Sequence, residues 1–304
     1  MTTRVPFKAL IPLPIALLLV SGANAELGLS GTLSAGYEHD SNVSVDELDR
    51  TSSRGDGGLV LGADIAIEKD LTESTDISAS YGFSRIDYQT FSALSRDTHM
   101  LGLNVSTDWE KFETSLNYFY IRAQLDGRDF LTYQRISPSI SGFVSKRWFL
   151  RGAYVRGDKE VNNRPGRNAV NDGLELDAYF FWNGLRRYIN VGYNFRAEDS
   201  QADRFDYRAH QAKLRFVQRI EVFGKLSTLE MGLRYEDRDF NNVTPSIGIE
   251  RNDKRLRGKL SFELPITESV LWQVYSGHSD YSSNLPSADY QQTLIGSRLE
   301  WVFP

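Results

Sequence analysis

The chain has no cysteine among its 304 residues, which excludes disulfides, thiolate metal sites, cysteine nucleophiles and lipid acylation at cysteine together. Histidine is almost as scarce, with four residues, so imidazole chemistry has few places to occur. No apolar run reaches the roughly 18 to 20 residues of a membrane-spanning helix. The longest, Ala9 to Val20, is short and broken by Pro12 and Pro14. P-loop, dinucleotide and HExxH signatures are missing as well. Net charge is -5, and an acidic chain gives no electrostatic reason to expect nucleic acid as a partner.

What the amino end does contain is a leader. Arg4 and Lys8 precede the apolar run, and Ala23-Asn24-Ala25 forms a small-residue cleavage site before Glu26. Residues 1–25 are therefore expected to be a secretory signal peptide, whose removal takes the formal charge from -5 to -7.

The remaining chain, 26–304, repeats a segment of about ten residues in which apolar and polar side chains alternate, as membrane-spanning strands do. In Leu174 to Trp182, one face collects Leu174, Leu176, Ala178, Phe180 and Trp182, and the other Glu175, Asp177, Tyr179 and Phe181. Strand side chains alternate sides with period two, so one face can meet lipid and the other a wet interior. Leu59 to Glu68 and Arg255 to Leu264 follow the same rule. The expected fold is all-β, an antiparallel up-and-down transmembrane barrel of about fourteen strands, an even number as bacterial barrels use.

Strands are expected near 27–37, 58–68, 74–86, 98–107, 111–121, 132–144, 147–156, 173–182, 187–196, 206–217, 226–235, 254–264, 269–279 and 291–303. Short connections fall at 69–73, 108–110, 145–146, 183–186 and 265–268, with a less sharply defined one around 218–225. Long polar ones include 38–57, 157–172 and 236–253. Short and long alternate, which puts all short turns and both termini on one side, the periplasm for an outer-membrane barrel.

Trp109, Trp148, Trp182, Trp272 and Trp301 all lie in or near the short turns or the carboxyl end. Indoles settle at the headgroup level, so these five are expected to form the periplasmic interface girdle. Tyr37, Tyr81, Tyr120, Tyr154, Tyr193 and Tyr235 lie near the opposite strand ends and would make an outer ring. The terminal strand ends Trp301-Val302-Phe303-Pro304, resembling the aromatic-terminated last strand that the outer-membrane barrel insertion machinery reads, with Phe303 in that role.

Function is expected on the inner face, which must carry the solvated charges. Alternation points Lys213, Arg215, Arg234, Arg255, Arg257 and Lys259 inward from three consecutive strands, and Asp64, Glu68, Asp76, Glu113, Glu175 and Asp177 inward from four others. Separate basic and acidic walls would set up a transverse field selecting charged solutes. Pairing across the interior would instead hold the barrel closed, and the sequence leaves both arrangements open. Catalysis is not expected: His278-Ser279-Asp280 is suggestive only as text, because adjacent strand residues point to opposite faces. Nor is a metal expected, since the calcium-loop-like opening at Asp40 has Val45 where the glycine belongs and Thr51 where the glutamate belongs. No cofactor is implied.

Gly36-Tyr37-Glu38-His39-Asp40-Ser41-Asn42-Val43 resembles the Gly-Tyr-x-x-Asp-Ser-Asn-Val opening of the carboxyl-terminal barrel of surface lipoprotein assembly modifiers. The resemblance implies a fourteen-stranded barrel over residues 26–304, here without the family's periplasmic repeat domain. It also implies, as an alternative role, a translocation or assembly barrel working with a separate periplasmic partner protein. The principal expectation is an outer-membrane channel, a porin-like passage for small polar or charged solutes, embedded in the lipid bilayer and with no chemistry of its own.

Overall fold

A computed structural model describes residues 27–303; the expected leader and Pro304 lie outside the described residues. Fourteen antiparallel strands close into one barrel. In chain order the strands are β1 (Gly28–Asp40), β2 (Ser44–Val45), β3 (Arg50–Thr51), β4 (Asp56–Asp70), β5 (Thr75–Tyr88), β6 (Arg96–Asp108), β7 (Glu113–Leu125) and β8 (Arg128–Phe143). They continue as β9 (Trp148–Val161), β10 (Ala169–Phe181), β11 (Arg187–Ser200), β12 (Tyr207–Val222), β13 (Lys225–Thr244), β14 (Ile249–Pro265), β15 (Val270–Ser283) and β16 (Tyr290–Phe303). Every barrel strand pairs with its neighbours in sequence, and β1 closes on β16 from Gly31 opposite Phe303 to Asp40 opposite Leu294. The short hairpin β2–β3 stands outside this ring of hydrogen bonds.

All fourteen expected segments fall on barrel strands, because a wall that is apolar outside and polar toward the bore forces a strict period of two. The exposed large side chains include Leu29, Leu33 and Tyr37 on β1, Leu174 and Leu176 on β10, and Leu256 and Leu260 on β14. Closure satisfies every ladder and leaves no edge, the condition for backbone to cross hydrocarbon.

The strands run further than expected at the end away from the short turns, which corrects three connections. Residues 236–253 are mostly strand, joined by a tight turn at 245–248; residues 157–172 shrink to a loop at 162–168; and 122–131 collapses to the two-residue turn Asp126–Gly127. Short and long connections therefore do not alternate strictly. Past the apolar band both faces become polar, so hydrophobic period fades while ladder hydrogen bonding continues. Asp126–Gly127 and Phe223–Gly224 have positive φ at both positions, matching the twist of a two-residue hairpin, and the second resolves the loosely defined 218–225 connection.

Candidate functional site

One long connection remains, residues 41–55 between β1 and β4, and it does not stand away from the barrel. Its base is the segment that carries the family resemblance. Gly36 is required where β1 meets β16, because a Cβ there would collide with the Ser297 carbonyl and the Arg298 backbone. Asp40 is buried and accepts hydrogen bonds from the Asn42 amide at 2.9 Å and Gln292 Nε2 at 2.7 Å. Asn42 donates to the Gln291 carbonyl at 3.1 Å, while its side-chain oxygen accepts from the Ser53 amide at 2.9 Å and from Thr51 Oγ1. The loop is thereby bent across the barrel mouth and tied to the last strand. Val43 and Val45 are buried with Leu94, and Leu48, Tyr88, Phe91, Leu125 and Phe130 pack around them, seating one side of the β2–β3 hairpin on apolar surface.

A 3₁₀ turn at Asp46–Leu48 joins β2 to β3 and presents the loop's acids on its other side. Asp46 accepts from Arg257 at 3.1 Å, Tyr281 at 3.2 Å and Tyr290 at 2.5 Å, with Arg255 at 3.7 Å. Asp49 accepts twice from Arg251, at 2.9 and 3.1 Å, and also from Arg167. Glu47 pairs with Lys159 at 3.5 Å. Lys159 lies on β9, six strands around a ring of fourteen from β1, so the loop spans the bore. Burial acts to raise the Asp49 carboxyl, but hydrogen bonds and charge from Arg251, reinforced by Arg167, outweigh it and hold the group below the ordinary carboxylate value. For Glu47, desolvation is outweighed in the same way by Lys159, Arg238 and Arg196.

The twelve charges singled out by alternation lie on the faces opposite the exposed leucines. Asp177 pairs with Lys213 at 2.7 Å and Arg151 at 3.7 Å; Glu175 with Arg135 at 2.8 Å; Arg215 with Glu230 at 2.6 Å; and Arg255 with Asp253 at 3.5 Å and Glu236 at 4.0 Å. Asp76 accepts from Ser106, Glu113 from Ser141 at 3.5 Å and Asp64 from Thr32 at 3.5 Å. Glu68 and Lys259 occupy the same inner face, and Arg234 lines the cavity described below. The charges thus interleave rather than form separate basic and acidic walls. Asp46, Glu47 and Asp49 were not among the expected lumenal charges, and neither were Arg167, Arg196, Arg238 or Arg251. The sequence signal available was Val43-x-Val45-Asp46-Glu47-Leu48-Asp49, a loop segment too apolar and too acidic for a free solvated loop.

Between loop and wall lies a cavity of about 370 Å³ whose lining holds nine cationic side chains and six carboxylates. An acidic chain has therefore gathered an excess of positive charge at one internal place. At the short-turn end the bore carries a second, apolar feature: Phe143, Phe149, Tyr179, Phe181 and Tyr188 touch in sequence with ring centroids 5.1 to 6.4 Å apart.

The five tryptophans are all exposed at the short-turn end. Trp109 Nε1 donates to Thr114 Oγ1 and Trp272 Nε1 to Ser297 Oγ, each at 2.9 Å, while Trp148 and Trp182 both pack on Phe180. At the opposite end of the apolar band, Tyr37, Tyr81, Tyr154, Tyr193 and Tyr235 are exposed, and Tyr81 and Tyr193 bond His99 and His210 on the following strand at 2.7 Å. Phe303 ends β16 opposite Gly31 with its ring 5.3 Å from that of Trp301.

No family model matches the chain, and no curated protein does at the level of sequence. Solved structures do match in fold. An anion-selective porin from Comamonas acidovorans superposes with a TM-score of 0.54 at 9% identity, over 92% of this chain and 100% of that one. OmpF of Salmonella typhi gives 0.53 at 8%, over 90% and 97%. CdiB from Acinetobacter baumannii gives 0.51 at 8%, over 90% of this chain and 60% of that one. These likenesses place the architecture among bacterial outer-membrane barrels.

Proposed function

We propose that this protein is an outer-membrane channel passing small polar or charged solutes, with no chemistry of its own. In this reading the exposed leucine band sits in the bilayer, the tryptophan end faces the periplasm, and the insertion machinery recognises the strand ending at Phe303. The observation that carries it is the inner wall: the bore is lined with charge, and the loop crossing it leaves a polar cavity instead of an apolar plug. A barrel meant only to be stable gains nothing from so many desolvated ion pairs, since buried pairs seldom improve on apolar packing. The likeness in fold to porins supports the same reading.

Single-channel recording in planar bilayers tests it. The intact chain should conduct, and removing residues 44–51 should raise the conductance. A folded barrel that conducts in neither form would leave the second reading, a surface lipoprotein assembly modifier-like barrel with a periplasmic partner. That reading draws on the apolar short-turn mouth, where Phe143 is 60% and Val144 66% exposed. A photo-crosslinker at Val144 would then capture a periplasmic protein.

A further inference from the structure

On three adjacent strands the charges Lys213, Arg234 and Arg257 are direct cross-strand partners, Lys213 opposite Arg234 on β12–β13 and Arg234 opposite Arg257 on β13–β14. Like charges placed directly opposite destabilise a sheet unless something neutralises them. The outer two are neutralised from elsewhere: Lys213 by Asp177 on β10 at 2.7 Å, Arg257 by Asp46 of the inward loop at 3.1 Å. Arg234, between them, is in no ion pair among the described residues, and its side chain is exposed on the cavity wall, on the face opposite Leu233 and Tyr235.

Arg255, diagonal to Arg234 through the Arg234–Arg257 pair, lines the same cavity. Its side chain is only 8% exposed, and its Nε has no hydrogen-bond partner. Its ion pairs are long, 3.5 to 4.0 Å, and one ring, Tyr281, lies 5.1 Å from its guanidinium carbon. A buried guanidinium donor left unpaired is costly. The cavity thus contains one cation without a counter-charge, and Arg255 is one of three, with Arg135 and Arg238, whose Nε has no partner, within an excess of positive charge.

We propose that this part of the bore is a binding site for small organic oxyanions, solutes bearing carboxylate or phosphate groups, held by Arg234 and Arg255 with Lys213 and Arg257 on the flanks. The site rests on, and sharpens, the channel reading by naming the class of solute. Guanidinium forks meet the paired oxygens of either group with two parallel hydrogen bonds, which a halide cannot accept. The solute's charge supplies what the row of cations lacks.

Calorimetric titration of the full chain in detergent, with citrate in one arm and inorganic pyrophosphate in the other, tests the site without requiring conduction. At least one arm should saturate at one equivalent, with chloride at equal ionic strength giving none; the tighter arm says whether carboxylate or phosphate is the native chemistry. Arg234→Gln should weaken that arm by at least about tenfold, the scale of a lost charge-assisted interaction. Arg234→Lys, which keeps charge but loses the fork, should fall between, and it replaces the Gln variant should that fail to fold. Equal binding by wild type and the Arg234 variants, or heats that follow ionic strength alone in both arms, would overturn the site. Saturable binding by a barrel that passes no current would retain the site and sink the channel; current without binding would do the reverse.

Discussion

The inner wall has two unlike halves. From β1 through β4, β5, β6 and β7 it is built mainly of small side chains, such as Ser34, Gly62, Ser80, Gly82, Gly102 and Ser115, and some sit so close that a Cβ at Gly62 or Gly102 would press on the Ser34 or Ser80 hydroxyl. From β9 to β14 it carries long charged side chains gathered in separate ion-pair clusters, one around Glu175 and Asp177 and another around Glu236, Asp253 and Asp46. Loop 41–55 leaves the small half and lands on the charged half. Charge thus does two different jobs: it ties adjacent and next-but-one strands of one half together laterally, and it supplies the counter-ions that hold the loop. The small half carries fewer charges, and those it has, such as Asp64, Asp76 and Glu113, bond to hydroxyls of Thr32, Ser106 and Ser141 instead of to the loop.

The largest difference should come from cutting the tie between loop and charged half. Asp49→Ala leaves Arg167 without its carboxylate and takes one of two from Arg251, which keeps Asp253, and breaking a buried pair on one side costs about 3 to 5 kcal/mol. We expect the loop to come free, seen as higher conductance together with protease cleavage inside 44–51. A variant as closed and as resistant as wild type would mean that the Val43–Val45–Leu94 contact alone seats the loop.

On the outside the halves should be indistinguishable. Leu176→Arg on β10 and Leu103→Arg on β6 should each lower folding stability in vesicles by about 2 to 4 kcal/mol, the range for a charge at the bilayer midplane. A clear gap between them in urea titrations would show that the distinction is not confined to the bore.

Acid should release the loop from the charged half. Docking holds the Glu47 and Asp49 carboxyls below their ordinary values, so each contributes stability that is fully present above about pH 4, the unperturbed carboxylate range, and that is lost as pH falls through the lowered value. A spin label at the exposed Arg50 should stay immobile from neutrality to about pH 4 and loosen only below it. Loosening near neutrality would assign the latch to other groups.

A smaller effect, on selectivity rather than stability, is expected from Arg215→Gln, Arg234→Gln and Arg257→Gln combined. Anion preference in a salt gradient should fall, and less so in 1 M salt, where screening acts over about 3 Å. An unchanged reversal potential would remove the charged half from the permeation path. Least of all, Ser84→Ala in the small half should change stability by no more than about 0.5 kcal/mol, and conductance not measurably.

The barrel itself was legible because a wall apolar outside and polar within imposes a period of two: once Leu174, Leu176 and Ala178 share a side, Glu175 and Asp177 must take the other. Strand ends were not, because beyond the tyrosines, as at Glu236 to Thr244, polar residues occupy both faces and the period loses contrast while pairing goes on. For the site, parity alone separates Arg234 from Leu233 and Tyr235, but it cannot say that Asp177 reaches Lys213 two strands away, which depends on the stagger between strands. The inward loop was hidden for a simpler reason. Its ion-pair partners stand 112 to 211 residues away, so Val43 to Asp49 could mark the segment as unlike a solvated loop without saying where it lands.

The hydrogen bonds at the root of the loop bear on the order in which the molecule is assembled. Asp40, Ser41 and Asn42 bond to Gln292, Thr293 and Gln291, across the seam where the first strand meets the last, at separations of up to 252 residues. Contacts so distant along the chain form late. Until the final strand is laid down, the loop lacks its root and the Tyr290 hydroxyl that bonds Asp46, and β1 offers an unpaired edge. Sealing the seam and seating the loop therefore become a single terminal event, and a barrel halted one strand short would expose both an open edge and an unguarded interior.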